Sequence, residues 1–543
     1  MLLIGHVSAS DVGLAAVSAA WPRADVDLVV YGRAPDDTPA PPAVRVLRLP
    51  GRSPRALASF ACRLGRRTYD VAVVCQPRLA VSRARGALLG LALMSGARAI
   101  ASITPESARI CSIPRASAFA DMIRYAAFSA GAQISVPVAT LAIRAAGRLV
   151  SRPAAERTPP AGGSVSYLRS DLDLVLAPLM AGGSLAHTEG ILRALQRRPH
   201  AVELWATGEL AGMPGGIPRR ALPTVLRANV PWELAEFVSG LAQALTLARD
   251  ARPTAFVYQR YSLNNLAGVV LARARGIPLV LEANASEVRW REEWSSLRFP
   301  GLARACERFV LDNSDRVATV SANAGRDLLA AGVDPSRLRI VPNGVEVERF
   351  RGAQPRALPF EDGTTVVGFA GLFYPWHGAR WLAEAFAIVH RDRPQARLLL
   401  VGDGEEAPLV RSILTRAGVA DAALLTGMVA RDEVPGYLAA AHILVSPHAR
   451  NDAFIGSPIK LWEYMASGRA IVASDVAQIG DVLRHHETAL VVPPQDPSAL
   501  ASAIVELIDD PQLRARIGAS AAAEAAAEHS WDARLRSALN GGS

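Results

Sequence analysis

Lysine is almost missing from this 543-residue chain: of 59 basic residues 58 are arginine, and the single lysine is Lys460. Cysteine is scarce as well. Cys62, Cys75, Cys111 and Cys306 are scattered without paired or metal-ligand spacing, which argues against a disulfide-stapled secreted domain and against a zinc or iron–sulfur centre, and suits a reducing, cytosolic setting. No nucleic-acid-binding motif occurs and aromatic residues do not interleave with the arginines, so nucleic acid is not an expected partner. The opening "MLLIGHVSASDVGLAAVSAAWPRA" lacks a basic leader segment, and Asp11 interrupts its apolar run. A strand over residues 2–7 followed by a helix is expected there rather than a secretion signal.

What is present is ordinary in amount and uneven in placement. Half the residues are apolar and a fifth charged, and the length suggests about three domains of roughly 150 residues. Residues 1–160 hold 20 Arg against 9 Asp and Glu, a net +11 that leaves −2 for residues 161–543. The basicity therefore belongs to an N-terminal third, whose expected partner is an anionic membrane surface or an acidic ligand. The 19 residues "YAAFSAGAQISVPVATLAI" (Tyr125–Ile143) carry no charge and match the length of a membrane span. Gln133, Pro137 and many small residues suit them better to a buried or an interfacial helix, within a candidate membrane-associating helix at 121–150. Arg144, Arg148 and Arg152 then share one helical face, as a solvated surface or as a contact for anionic headgroups.

A Pro-, Ala- and Gly-rich linker, "SRPAAERTPPAGGS" (151–164), follows a small α/β domain at 1–150 that shows strand-like runs at Val26–Val30 and Val71–Val74. Beyond the linker, short apolar runs alternate with helical patterns in two series. The first is Leu172–Pro178, Ala201–Thr207, Thr254–Arg260, Pro278–Asn284 and Arg316–Ser321; the second is Thr365–Gly371, Ala396–Gly402, Ala423–Met428, His442–Pro447 and Ala470–Asp475. Such runs mark parallel sheets covered on both faces. The expected fold class is thus α/β, with two Rossmann-like domains at 165–345 and 346–522 facing a cleft and a final helix at 523–543 packing back on the first.

Two stretches carry chemistry. In "APLMAGGSLAHTEGILRAL" a turn at Gly182 and Gly183 leads into a helix near Ser184, either as a plain tight turn or as a loop whose N–H groups approach a phosphate. In "SPIKLWEYMASG", Ser457 reads as an N-cap, Pro458 as the first helical residue and Gly468 as the stop, giving a helix over 458–467. Lys460 then sits in the first turn, where the helix dipole disfavours a cation, and Lys460 before Glu463 is the poorer order for a helical ion pair. A chance lysine in a surface salt bridge is one reading. An anionic ligand is the other: a nucleotide phosphate on Lys460, with Glu463 accepting hydrogen bonds from ribose hydroxyls.

The fragments "GGSLAHTEGILRAL", "YQRYSLNNLAGVVLARARGIPLVLEANASE", "IVPNGVEVERF", "VGFAGLFYPWHGARWLAEAF", "LLLVGDGEEAPLV" and "GSPIKLWEYMASGRAIVASDVAQIGDVL" occur in this order. Together they resemble family 4 retaining glycosyltransferases of the GT-B fold, over about residues 165–540. The resemblance implies a nucleotide-sugar donor on the C-terminal domain. Glu463 matches the second glutamate of the family's E-x7-E motif; the first falls on Ile455, a departure. Leu372 and His377 stand where the family has its pyrophosphate-binding Arg and Lys, leaving Lys460 as the leading cation. Further donor contacts are expected from Gly371, Trp376, Gly378, Gly427, Met428, Val429, Gly456, Ser457, Pro458 and Ile459. Gly182, Gly183, Ser184 and His187 match the acceptor-side glycine loop. Asn284 lies where many members have a histidine near the reacting sugar, so it would orient groups rather than act as a base. The implied catalytic set is Lys460, Glu463, Asn284 and His377, with no metal or other cofactor. The resulting expectation is a retaining enzyme moving a sugar from a nucleotide-diphosphate sugar to a glycan or lipid-linked acceptor, at the inner face of the membrane. The alternatives are a non-catalytic nucleotide- or glycan-binding protein and a nucleotide-sugar epimerase.

Overall fold

The structure, a computed structural model, describes residues 2–6, 26–31, 44–48, 64, 69–75, 85–104, 109–149, 162–176, 182–225, 230–294, 297–450 and 456–539. Among them three sheets form. The first runs Val44–Arg48, Val26–Tyr31, Leu2–His6, Val71–Cys75, Ala99–Thr104 and Arg109–Ser112 in spatial order, and only its last strand is antiparallel. The second has seven parallel strands, ordered Leu338–Ile340, Arg316–Thr319, Leu279–Glu282, Thr254–Arg260, Ser164–Arg169, Ala201–Ala206 and Arg219–Ala221. The third, also parallel, is ordered Ala423–Leu425, Ala396–Val401, Thr365–Ala370, Ile443–Ser446, Ala470–Ser474 and Leu490–Val492.

In the second and third sheets the strand order reverses beside the first strand, so that a crevice opens between Ser164–Arg169 and Thr254–Arg260, and another between Thr365–Ala370 and Ile443–Ser446. Such switch points are where open α/β sheets bind ligands. The C-terminal sheet is covered on both faces. Val367, Phe369, Leu398 and Leu400 face helices Ala379–Asp392 and Pro497–Asp509, while Val366, Leu399 and Leu444 face the helix Ile459–Ser467 with its buried Leu461, Trp462, Tyr464 and Met465. Each such fully buried side chain contributes roughly 1.5–3 kcal/mol.

One expected strand is absent. Residues 172–178 read as a strand from their apolar run, yet the strand is Ser164–Arg169 and a short helix occupies Asp173–Leu176. The real strand hides because it buries polar side chains, Ser166 and Arg169, and Arg169 finds partners in Asp171, Thr188 and Ser184. The chain also crosses back to the second sheet later than expected: helix Pro511–Glu528 runs through residue 523, and only Trp531–Leu539 packs on the N-terminal side, placing Trp531 and Leu535 in the core of the second sheet.

The charge-free run lies inside a 35-residue helix, Arg115–Leu149, that carries Pro137. Ala132, Val136 and Ile143 bury against the helix Pro300–Asp312, while Phe119, Ile123, Ile134, Val138 and Leu141 stay exposed, Ile134 by 74%. Arg152 lies outside the described residues, as does Cys62.

Candidate active site

The helix Ile459–Ser467 starts one residue later than its sequence suggests. Pro458 is its N-cap and no side chain caps it, so the expected Ser457 cap is not formed; Gly468 ends it in the left-handed conformation at φ 69°, as the sequence indicates. Ser457 is otherwise engaged. Its Oγ accepts hydrogen bonds from the Asn343 backbone N–H at 3.0 Å and from Trp462 Nε1 at 3.3 Å, and its carbonyl accepts from Asn343 Nδ2 at 2.5 Å. Gly456 and Ser457 remain in the turn before the helix, and Ile455 lies outside the described residues.

Lys460 points back beneath the crevice of the third sheet. Its Nζ is shut off from solvent, has no hydrogen-bond partner among the described residues, and lies 4.6 Å from the centroid of the Phe369 ring. A Cβ on Gly371 (φ 146°) would stand 3.4 Å from that Nζ, so glycine there keeps the approach open. Burial pushes the ammonium down to about 7, with Glu463 offsetting only part of the effect. No ion pair joins Lys460 to Glu463 among the described residues. A buried ammonium over a ring face with unused donors is one short of an anion.

His377 follows the strand Thr365–Ala370, in the turn Pro375–His377. Its Nδ1 donates to the Leu372 carbonyl at 2.6 Å, and burial, reinforced by the charge of Lys460, holds the ring down to about 4. The ring is thus neutral near pH 7 with Nε2 as an acceptor. It therefore offers a hydrogen bond rather than a charge, and suits a hydroxyl donor. His448 packs edge-on against it at 5.5 Å. Gly378 is forced: a Cβ there would stand 1.7 Å from the Pro447 carbonyl oxygen. Trp376 stacks on Tyr374 and is 47% exposed, at the rim. Gly427 closes the neighbouring turn, its carbonyl accepting from the Gly402 N–H at 3.1 Å, with Met428 exposed and Val429 packed against the core.

Glu463 lines a narrow crevice between the two domains with Ile459, Arg349, Arg431, Ala186 and Gly190. Burial raises its carboxyl, and the two arginines and Lys460 offset part of that. Arg431 also pairs with Glu189 of the opposite domain. Neither arginine stood out in the sequence among 58.

The glycine loop faces the same place from the other side. Gly182 (φ 103°) is the N-cap of the helix Gly183–Gln196, and Ile459 Cδ1 lies 3.7 Å from where a Cβ on Gly183 would be. The positive ends of two helices therefore meet at their first turns. Ser184 is spent on Arg169, whose Nη2 donates to its Oγ at 2.8 Å. His187 is not open to a ligand. It is 5% exposed, with Nδ1 2.5 Å from Asn343 Oδ1 and Nε2 2.6 Å from Glu282 Oε2. Asn343 Nδ2 donates to Ser457, so its Oδ1 is the atom turned to His187, and both ring nitrogens of His187 are engaged within the protein. Burial alone would raise Glu282, but His187 and Arg260 hold it at about 2. The result is a chain of contacts, Arg260–Glu282–His187–Asn343–Ser457, that ends at the start of the Lys460 helix. Asn343 stands in a quoted fragment, yet nothing in the sequence marks its side chain as the joint. Asn284 is half-buried, and its Oδ1 has no partner.

Comparison with known proteins agrees with this geometry. Residues 182–344 match the glycosyl transferase 4-like domain and residues 364–510 the glycosyl transferases group 1 domain, together more than half of the chain. The chain is 26% identical to a D-inositol 3-phosphate glycosyltransferase of Thermobispora bispora, over 56% of this chain and 74% of that protein. It is 28% identical to a 2-deoxystreptamine glucosyltransferase of Streptomyces kanamyceticus, over 45% and 65%. Among solved structures, HepE of Anabaena in complex with UDP and glucose superposes with a TM-score of 0.50 at 18% identity, covering 69% of this chain and 97% of that one. Over its matched domains the chain therefore belongs to the family 4 glycosyltransferases of the GT-B fold and is a sugar-transferring enzyme.

Proposed function

We propose that the donor is a nucleotide-diphosphate sugar bound at the crevice of the third sheet, and that transfer proceeds with retention and without a metal ion. The observation that carries this reading is the partnerless, buried Nζ of Lys460 in the first turn of a helix. A diphosphate there gains a charge-assisted hydrogen bond and the N–H groups of the turn. As the bond from the anomeric carbon to the phosphate oxygen breaks, the negative charge gathering on the leaving diphosphate is what Lys460 stabilises. The leaving oxygen takes the proton of the acceptor hydroxyl, whose oxygen bonds to the anomeric carbon on the same face. Asn284, which holds no proton to exchange, and neutral His377 orient sugar hydroxyls; Glu463 receives the ribose.

Calorimetric titration with UDP, GDP and ADP tests this. One of the three binds selectively, and Lys460→Ala weakens it about tenfold or more, matching a charge-assisted contact of roughly 1.5–3 kcal/mol. Equal binding by the variant would remove the assignment. With an active donor, unchanged rates in EDTA and an unchanged anomeric configuration by NMR are the expected results.

The acceptor is presented at an anionic membrane surface on the cytoplasmic side. The exposed apolar residues of Arg115–Leu149, with Arg144 and Arg148 on the same helix, support an interfacial position, and that helix is long and apolar enough to cross a membrane. Sedimentation with phosphatidylglycerol vesicles is the check: Ile134→Asp with Leu141→Asp abolishes binding, and phosphatidylcholine vesicles bind far less.

A further inference from the structure

The crevice of the second sheet holds a pocket of about 240 Å3, lined at the carboxyl ends of Ser164–Arg169 and Thr254–Arg260 and by the helices Trp232–Arg249 and Glu287–Trp294. Its charged lining is Asp171, Asp173, Glu236, Glu287 and Arg291, four acids against one base. The base is already taken. Arg291 Nη2 donates to Glu236 Oε1 at 2.7 Å, and Asp171 is held by Arg169. Glu236 is 8% exposed, and its second oxygen, Oε2, is buried with no partner among the described residues. Asp173 and Glu287 have no ion pair among the described residues.

A pocket of this kind repels a phosphate, which would meet three acids and no spare cation, and attracts a compact donor of positive charge. The two relatives named above differ on this point by name, one acting on an inositol phosphate and the other on an aminocyclitol. We propose that this pocket receives the acceptor, and that the acceptor is an amine-bearing sugar or cyclitol whose ammonium group takes the open oxygen of Glu236 and the carboxylates of Asp173 and Glu287. The inference rests on the glycosyltransferase reading and adds the acceptor's chemical class. Burial pushes Glu236 up to about 8 and Glu287 up to about 7, with Arg291 offsetting only part, and raises Asp173 as well. An ammonium group supplies the charge that would hold these acids ionised.

The test uses the full chain and three probes of one shape and different charge: D-glucosamine, D-glucose and D-glucose 6-phosphate, with 2-deoxystreptamine as a diamine. Trp290, on the pocket wall, reports binding by its fluorescence. Glucosamine and 2-deoxystreptamine are expected to bind at least about tenfold tighter than glucose, with glucose 6-phosphate weakest. Glu287→Gln and Asp173→Asn, at the pocket surface, each cut amine binding severalfold more than they cut glucose binding. No preference for the amines, no amine binding, or preference for the phosphate overturns the proposal. A parallel titration with the nucleoside diphosphates separates the failures: loss there sinks the donor reading at Lys460, whereas intact nucleotide binding with amine-indifferent sugar binding sinks only the acceptor class.

Discussion

At the residue scale, Lys460 trades stability for binding. Its folded value of about 7 lies below its ordinary 10.5 because burial disfavours the charge. The sign follows: below about pH 7 the folded protein carries the full penalty of a buried ammonium, and the penalty fades as pH rises from 7 towards 10.5. Lys460→Met is therefore expected to raise the unliganded protein's stability at pH 7, by roughly 1–3 kcal/mol in denaturant titration, while weakening nucleotide binding. Binding a diphosphate restores the charge, so complex formation takes up a proton above pH 7. Affinity should fall by up to about tenfold per pH unit above 7, and Lys460→Gln should flatten the profile. His187 predicts the opposite exchange. His187→Ala strips buried Glu282 of one of its partners and frees Asn343, and should destabilise by about 3–5 kcal/mol while also loosening the turn before Lys460. The lysine was legible because it breaks two helix rules at once. His187 was misread as a ligand group because its partners, Glu282 and Asn343, are 95 and 156 residues away in sequence, and only the fold shows that they consume both its nitrogens.

At the element scale, strands buried on both faces were legible where they are nearly all apolar, as in Ala396–Val401, whose one charged residue, Arg397, lies near its start. Ser164–Arg169 was not, since its polar residues are stabilised by partners on other elements. The return of a C-terminal helix to the first domain was legible, but not its start at Trp531 or its seat. It docks on Gly183–Gln196, where Gly190 leaves room for the indole: a Cβ there would stand 2.1 Å from Trp531 Cε2. Gly190→Ala is expected to undock the helix, and Trp531→Ala to cost about 3–5 kcal/mol, both read by thermal unfolding. Trp531 also meets the His187 ring edge-on at 5.1 Å, so either change should weaken nucleotide binding through the turn at Ser457.

At the scale of the whole molecule, the charge split of +11 and −2 was plain in the composition, but what it does depends on which surfaces lie together. The long helix Arg115–Leu149 answers part of that, because it packs on the first sheet's helix Arg85–Met94 at one end and on Pro300–Asp312 further along. Vesicle binding should consequently weaken steeply between low and physiological salt, while nucleotide binding, set by a buried lysine, should change little. The two matched glycosyltransferase domains are joined by two passages of chain that are bonded to each other: the Val345 N–H donates to the His529 carbonyl at 3.0 Å, and the Trp531 N–H to the Val345 carbonyl at 3.3 Å. Any closing motion pivots on this paired crossing.

The placement of Trp531 and Leu535 has a consequence for biogenesis. The first of the two matched domains precedes the second in the chain, yet its core is completed by Trp531 and Leu535, which come after the second. Domains that complete their own cores fold as they emerge, at roughly 5–20 residues synthesised per second. This one must wait in an unfinished state while some two hundred further residues are made (~10–40 s at that rate). Nascent chains arrested before Trp531 should stay protease-sensitive across residues 165–344, and chains extended until Trp531–Leu539 has emerged should be protected.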